Sequence, residues 1–167
     1  MPENEKNREQ RQYAWNYFHL HAGQRMSLFN FFVLISALLT AALGGTFGED
    51  CKSHILGLFL GLTLPVISFV FWRIDQRVAY LVKRAEGTLK SLETSWANKE
   101  NAVDENTALF SAENRNTAKL RAELCRKYPF QAWVCPVTYS ECFRVIYVVF
   151  GALGVLGVIL SIAALVY

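Results

Sequence analysis

Three long uncharged runs dominate the pattern of apolar and polar positions. Met26 to Gly48 reads MSLFNFFVLISALLTAALGGTFG, Ile55 to Trp72 reads ILGLFLGLTLPVISFVFW, and Val145 to Tyr167 reads VIYVVFGALGVLGVILSIAALVY. None contains Asp, Glu, Lys, Arg or His. A helix rises about 1.5 Å per residue, so roughly 20 residues cross a hydrocarbon layer of about 30 Å. The first and third runs are long enough to cross with some tilt. The second is at the short end, and Pro65 within it removes a backbone donor and predicts a kink. A buried helix of a soluble core is the competing reading for each run, and a re-entrant segment is a further one for the middle run. The linker from Glu49 to His54 is short and polar. That favours a hairpin of two antiparallel spans.

The flanking segments read as helical too. Tyr13, Trp15, Tyr17 and Phe18 stand ahead of the first run, where aromatic residues form an interfacial belt. Tyr13, Tyr17 and Leu20 share one helical face, which predicts an amphipathic helix leading into the first span. After the second run, Val78, Leu81, Val82, Ala85, Leu89 and Leu92 form an apolar stripe at helical period. It predicts a helix that leaves the membrane and packs on another helix or a second copy. The asparagine-rich stretch 94–116 predicts a break with a short helical turn over 108–113. Residues 117–128 predict another short helix ended by Pro129. The aromatic segment from Phe130 to Pro136 is expected at the headgroup level. Thr138 or Ser140 is expected to cap the third span, with Glu141 near its positive end.

These elements predict an all-α polytopic membrane protein with three transmembrane helices and a cytoplasmic helical hairpin. Its parts are an interfacial segment 1–25, a transmembrane hairpin 26–72 with helices over 26–48 and 55–72, a cytoplasmic region 73–144, and a third span 145–167. The polar first 25 residues and the length of the run that follows argue against a cleaved signal peptide.

Composition narrows the class further. Of 167 residues, 53% are hydrophobic and 19% charged, with a net charge of +3. Basic and acidic residues are interleaved without a basic stripe, so no nucleic-acid partner is expected. Lys and Arg near membrane ends favour the cytoplasm. Lys6, Arg8, Arg11 and Arg25 precede the first run, Arg73, Arg77, Lys83 and Arg84 follow the second, and Arg144 precedes the third, whereas the linker offers only Lys52. The expected orientation puts the N-terminus in the cytoplasm, the linker outside, residues 73–144 inside and the C-terminus outside. Cys125, Cys135 and Cys142 then face a reducing compartment as thiols, and Cys51 stands alone on the oxidising side.

Covalent chemistry finds no motif. There is no P-loop, G-x-G-x-x-G, H-E-x-x-H, G-x-S-x-G or C-x-x-C. His19 and His21 sit two apart and so do not share a helical face. No catalytic, cofactor-binding or metal-binding residues are expected, and no cofactor. Spans without ionisable groups argue against a pump or secondary transporter. They leave open a pore or central axis lined by Gln24, Arg25, Ser27 and Asn30, with Ser36 and Thr40 further along. Asn30 also reads as an interhelical hydrogen-bonding amide. Small-residue spacing gives the strongest signal. Gly57 and Gly61 form G-x-x-x-G in the second run, and Gly151, Gly154, Gly157 and Ser161 line one side of the third. Small residues let helices approach closely in lipid, within one chain or between chains.

The run from Tyr17 to Phe32, YFHLHAGQRMSLFNFF, resembles the N-terminal signature of the RipA-like small oligomeric membrane proteins of bacteria. Phe71 to Arg77, followed by Glu86, Leu89 and Leu92, resembles the exit of the second span in that family, and the third run resembles its late glycine-rich segment. The resemblance implies an inner-membrane homo-oligomer, octameric in that family, with no assigned catalytic residues. The chain is also similar to the SLATT domains, two-span modules with a cytoplasmic helical extension that act as membrane effectors in bacterial conflict systems. The third run departs from their minimal plan. The reading that follows is a lipid-embedded homo-oligomer with a structural or channel-like role and no covalent chemistry. Its alternatives are a membrane-permeabilising defence effector and an adaptor that recruits a cytosolic protein partner through residues 73–144.

Overall fold

The computed structural model describes residues 3–47, 51–100, 109–127 and 138–166. They form four helices: α1 (Glu3–Gly44), α2 (Cys51–Glu100), α3 (Leu109–Lys127) and α4 (Tyr139–Val166). The fold is all-α. Helices α1, α2 and α4 contain stretches long and apolar enough to cross a membrane, within Asn7–Gly44, Ser53–Ser95 and Tyr139–Val166. Their most apolar windows have mean hydropathies of 2.1, 2.2 and 2.6, yet only 17%, 22% and 22% of those windows is buried. A soluble helix of such composition would hide its apolar side chains. Here Leu34, Leu38, Phe59, Leu62, Val66, Phe69 and Val148 all stay exposed. That distribution suits a chain solvated by lipid.

Helix α1 runs unbroken from the aromatic stretch into the first apolar run. It ends where Gly45 N–H donates to the Ala41 carbonyl and Thr46 Oγ1 donates to the Leu43 carbonyl, satisfying exposed ends of the last turn. Helix α2 passes through Pro65 and continues far beyond the second run.

The expected break at residue 94 does not occur there. Ser91, Thr94 and Ser95 donate their hydroxyls to the carbonyls of Thr88, Lys90 and Leu92, so polar residues that compete with a helix elsewhere turn back onto it here. Helix α3 begins at Leu109 and covers both short helical pieces expected over 108–128 in one element. Residues 101–108 and 128–137 lie outside the described residues, and with them Pro129, Cys135 and the aromatic return segment. So do Glu49 and Asp50 of the linker. Helix α4 starts six positions ahead of its apolar run, with Thr138 directly before it and Glu141 in its first turn.

The chain divides into two compact units, one within residues 1–23 and 79–138, the other within 24–78 and 139–167. In the first, Ala14, Ala85 and Leu89 are buried, so part of the stripe predicted after the second run does pack. Glu86 and Lys90 pair one turn apart on α2. The second unit contains the three apolar runs.

Candidate functional site

In the second unit the buried positions on each helix are separated by three, four or seven residues. On α1 they are Phe32, Ser36 and Leu43, on α2 Gly57, Gly61, Leu64, Ser68, Asp75 and Val78, and on α4 Phe143, Tyr147, Gly154, Gly157 and Ser161. This spacing keeps one narrow seam of each helix facing its neighbours.

Glycine sets how closely the seams approach. A Cβ added to Gly154 would lie 2.5 Å from Pro65 Cδ, 2.7 Å from Leu64 Cβ and 2.8 Å from the Gly61 carbonyl oxygen. That carbonyl is the one Pro65 leaves without an intrahelical donor, because proline has no N–H. Gly61 in turn faces Val158, with an added Cβ at 2.9 Å from its backbone nitrogen. Gly57 faces Thr46 and Ser161, and Gly157 faces Leu43. Gly151 is looser, with Ser68 Cβ at 3.7 Å. All five glycines therefore face helices of their own chain.

The seam also holds polar groups. Ser36, Ser68 and Ser161, one per helix, have buried hydroxyls with no hydrogen-bond partner among the described residues. Such groups are costly in an apolar interior.

One end of the bundle is closed by a buried ion pair. Arg25 Nε donates to Asp75 Oδ1 at 2.7 Å, and Nη2 donates to Asp75 Oδ2 at 3.0 Å and to Ser140 Oγ at 3.0 Å. The guanidinium also lies 5.1 Å from the centre of the Phe143 ring. The two side chains are only 13% and 8% exposed. A bidentate fork of this kind is among the stronger protein hydrogen-bonding arrangements. It ties α1, α2 and α4 together through four side chains. An aromatic layer lies next to it. Phe29 stacks on Phe143 at 3.9 Å and 8°, and the fully buried Phe32 meets Tyr147 at 4.6 Å, Phe71 at 5.5 Å and Phe150 at 5.7 Å.

Of the residues read as lining an axis, Arg25 is drawn into this ion pair, while Gln24, Ser27 and Asn30 are exposed. Thr40 Oγ1 donates to the Ser36 carbonyl. His21 packs edge-on to Tyr17 at 4.3 Å. Cys142 is a free, exposed thiol. Among the described residues no group of three or more His, Cys, Asp or Glu is placed to hold a metal ion.

Asp75 and Phe143 were not singled out from the sequence as site residues, and Ser140 was read only as a cap for the third span. A signal for them existed. Carrying the steps of Gly57, Gly61, Leu64 and Ser68 past Trp72 reaches Asp75, and carrying those of Phe32 and Phe29 backwards reaches Arg25.

The lipid-suited exterior, the glycine-closed seams and the buried latch define an all-α integral membrane protein with three candidate spans. The chain is 34% identical over 145 residues to CD-NTase-associated protein 19 of Escherichia coli, covering 87% of this chain and 85% of that protein. It belongs to the family of that protein. No family model matches the chain, so neither the RipA-like nor the SLATT resemblance gains support from one. No solved structure matches it either.

Proposed function

We propose that this protein is a membrane-acting effector of a bacterial defence system, working alongside a CD-NTase and breaching the inner-membrane barrier without covalent chemistry. The family membership carries this reading, because its relative is named for association with a CD-NTase. It favours the effector over the purely structural role. The unpaired hydroxyls of Ser36, Ser68 and Ser161 give it a physical basis. They supply a polar path down the seam once the helices part.

Three close-packed helices enclose no water path by themselves, so the effector acts as a homo-oligomer. Asn30 supports this. Its amide is exposed on the first apolar run, five residues past Arg25, and a second copy offers it a hydrogen-bond partner. Asn30→Leu is expected to shift the purified protein toward smaller species by light scattering in mild detergent. An unchanged mass removes Asn30 from the contact.

The effector reading is tested by inducible expression in Escherichia coli with a potential-sensitive dye. The expected result is loss of membrane potential before loss of viability. Full retention of potential at high membrane expression overturns it.

A further inference from the structure

The latch of Arg25, Asp75 and Ser140 has a particular place in the chain. The two units meet along the sequence after residues 23, 78 and 138. Arg25 lies two positions after residue 23, Asp75 three before residue 78, and Ser140 two after residue 138. A latch residue therefore stands beside every point where the chain passes from one unit to the other. Helices α1 and α2 run unbroken through the first two of these points. A rearrangement of the first unit turns or shifts those helices at Arg25 and Asp75.

Stability alone does not account for the pair. In a buried ion pair the attraction about offsets the desolvation, and apolar side chains of similar size do as well or better. What the pair supplies is two states of similar energy. Closed, the two charges are desolvated and satisfy each other. Parted, each reaches water, because Arg25 directly precedes the first apolar run and Asp75 follows the second by three positions. The latch also holds what plugs the seam. Phe143 lies against the guanidinium and stacks on Phe29, and Phe32 meets Tyr147 and Phe71 in the same layer. One turn past Phe32 and Phe71 are the unpaired hydroxyls of Ser36 and Ser68.

We propose that the latch is an autoinhibitory lock. While Arg25 and Asp75 are paired, the aromatic layer seals the seam, and a rearrangement of the first unit opens it by parting them. The consequence of opening rests on the effector reading; the lock itself rests on the ion pair.

Two variants act on it in opposite directions. Asp75→Asn leaves Arg25 charged and unmatched in the closed bundle but hydrated in the open one, so it favours opening. Arg25→Met with Asp75→Leu does the reverse, because two apolar side chains stay together when closed and meet water when open. A pair that only held the fold would give a different order: the single variant would lose activity with its stability, and the double variant would match the parent.

The test titrates expression of the full chain and both variants in Escherichia coli, with membrane levels read by immunoblot and potential by dye. Asp75→Asn is expected to collapse the potential at an about tenfold lower membrane level than the parent, and the double variant to need about tenfold more. Amide hydrogen exchange of the purified chains in detergent reads opening without conduction. Around Phe32 and Ser68 it is expected to be fastest in Asp75→Asn and slowest in the double variant. A double variant that exchanges like the parent, or an Asp75→Asn chain that opens no more readily than the parent, overturns the lock. If Asp75→Asn does not accumulate in the membrane, the double variant alone decides. Retained potential in all three chains with the exchange order intact removes the effector reading and leaves the lock standing.

Discussion

Replacing Asp75 with alanine is expected to lower the unfolding free energy of the bundle by about 3–5 kcal/mol. The argument rests on what is left behind. Arg25 stays charged, because a guanidinium does not give up its proton in a protein. In the Asp75→Ala chain its fork keeps only Ser140 Oγ and the Phe143 ring, in a place where its side chain is 13% exposed. Neither partner carries a negative charge, so the cost is that of an uncompensated buried ion. Removing both charges is a different matter. A buried pair gains by mutual attraction roughly what it loses by desolvation, so Arg25→Met with Asp75→Leu is expected to fall within about 1 kcal/mol of the parent or above it. Equilibrium unfolding in mixed micelles, followed by far-ultraviolet circular dichroism, separates the two. A single variant as stable as the double one would mean that the ion pair does not hold the three helices.

The same pair shows where the sequence was readable and where it was not. The three spans were legible because an uncharged run longer than about 18 residues has few alternatives in water. Gly57, Gly61, Gly154 and Gly157 were legible as packing residues, since small side chains on one face of an apolar helix serve close approach. Their partner was not legible, because spacing alone does not say whether the facing helix belongs to the same chain. Arg25 and Asp75 are 50 positions apart and lie at the ends of apolar runs. There they look like ordinary flanking charges, and Asp75 is further disguised between Arg73 and Arg77. Only the phase of each helix, carried past the end of its apolar run, turns them toward one another. The continuation of α2 to Glu100 was hidden for a different reason. Its serines and threonines favour turns in isolation, and their bonds back to α2's own carbonyls appear only once the helix exists.

Gly154→Ala is expected to destabilise the bundle by about 1–3 kcal/mol, although alanine is intrinsically the better helix residue by about 1 kcal/mol. The added methyl would fall 2.5 Å from Pro65 Cδ, 2.7 Å from Leu64 Cβ and 2.8 Å from the Gly61 carbonyl oxygen. None of these is the far end of a flexible side chain. A pyrrolidine ring, a Cβ and a backbone oxygen yield only if α4 moves away from α2, and that motion also loosens Gly61 against Val158 and Gly157 against Leu43. Gly151→Ala provides the contrast one turn away. Its methyl would meet Ser68 Cβ at 3.7 Å, an ordinary contact, so it is expected to stay within about 0.5 kcal/mol of the parent. Helix propensity changes equally in the two substitutions, so the difference between them is how tightly each glycine is packed, Gly154 buried against α2 and Gly151 only half-buried. Thermal unfolding of both variants in one detergent provides the comparison. If they melt together, the contact between the Pro65 turn and α4 does not set the spacing of the bundle.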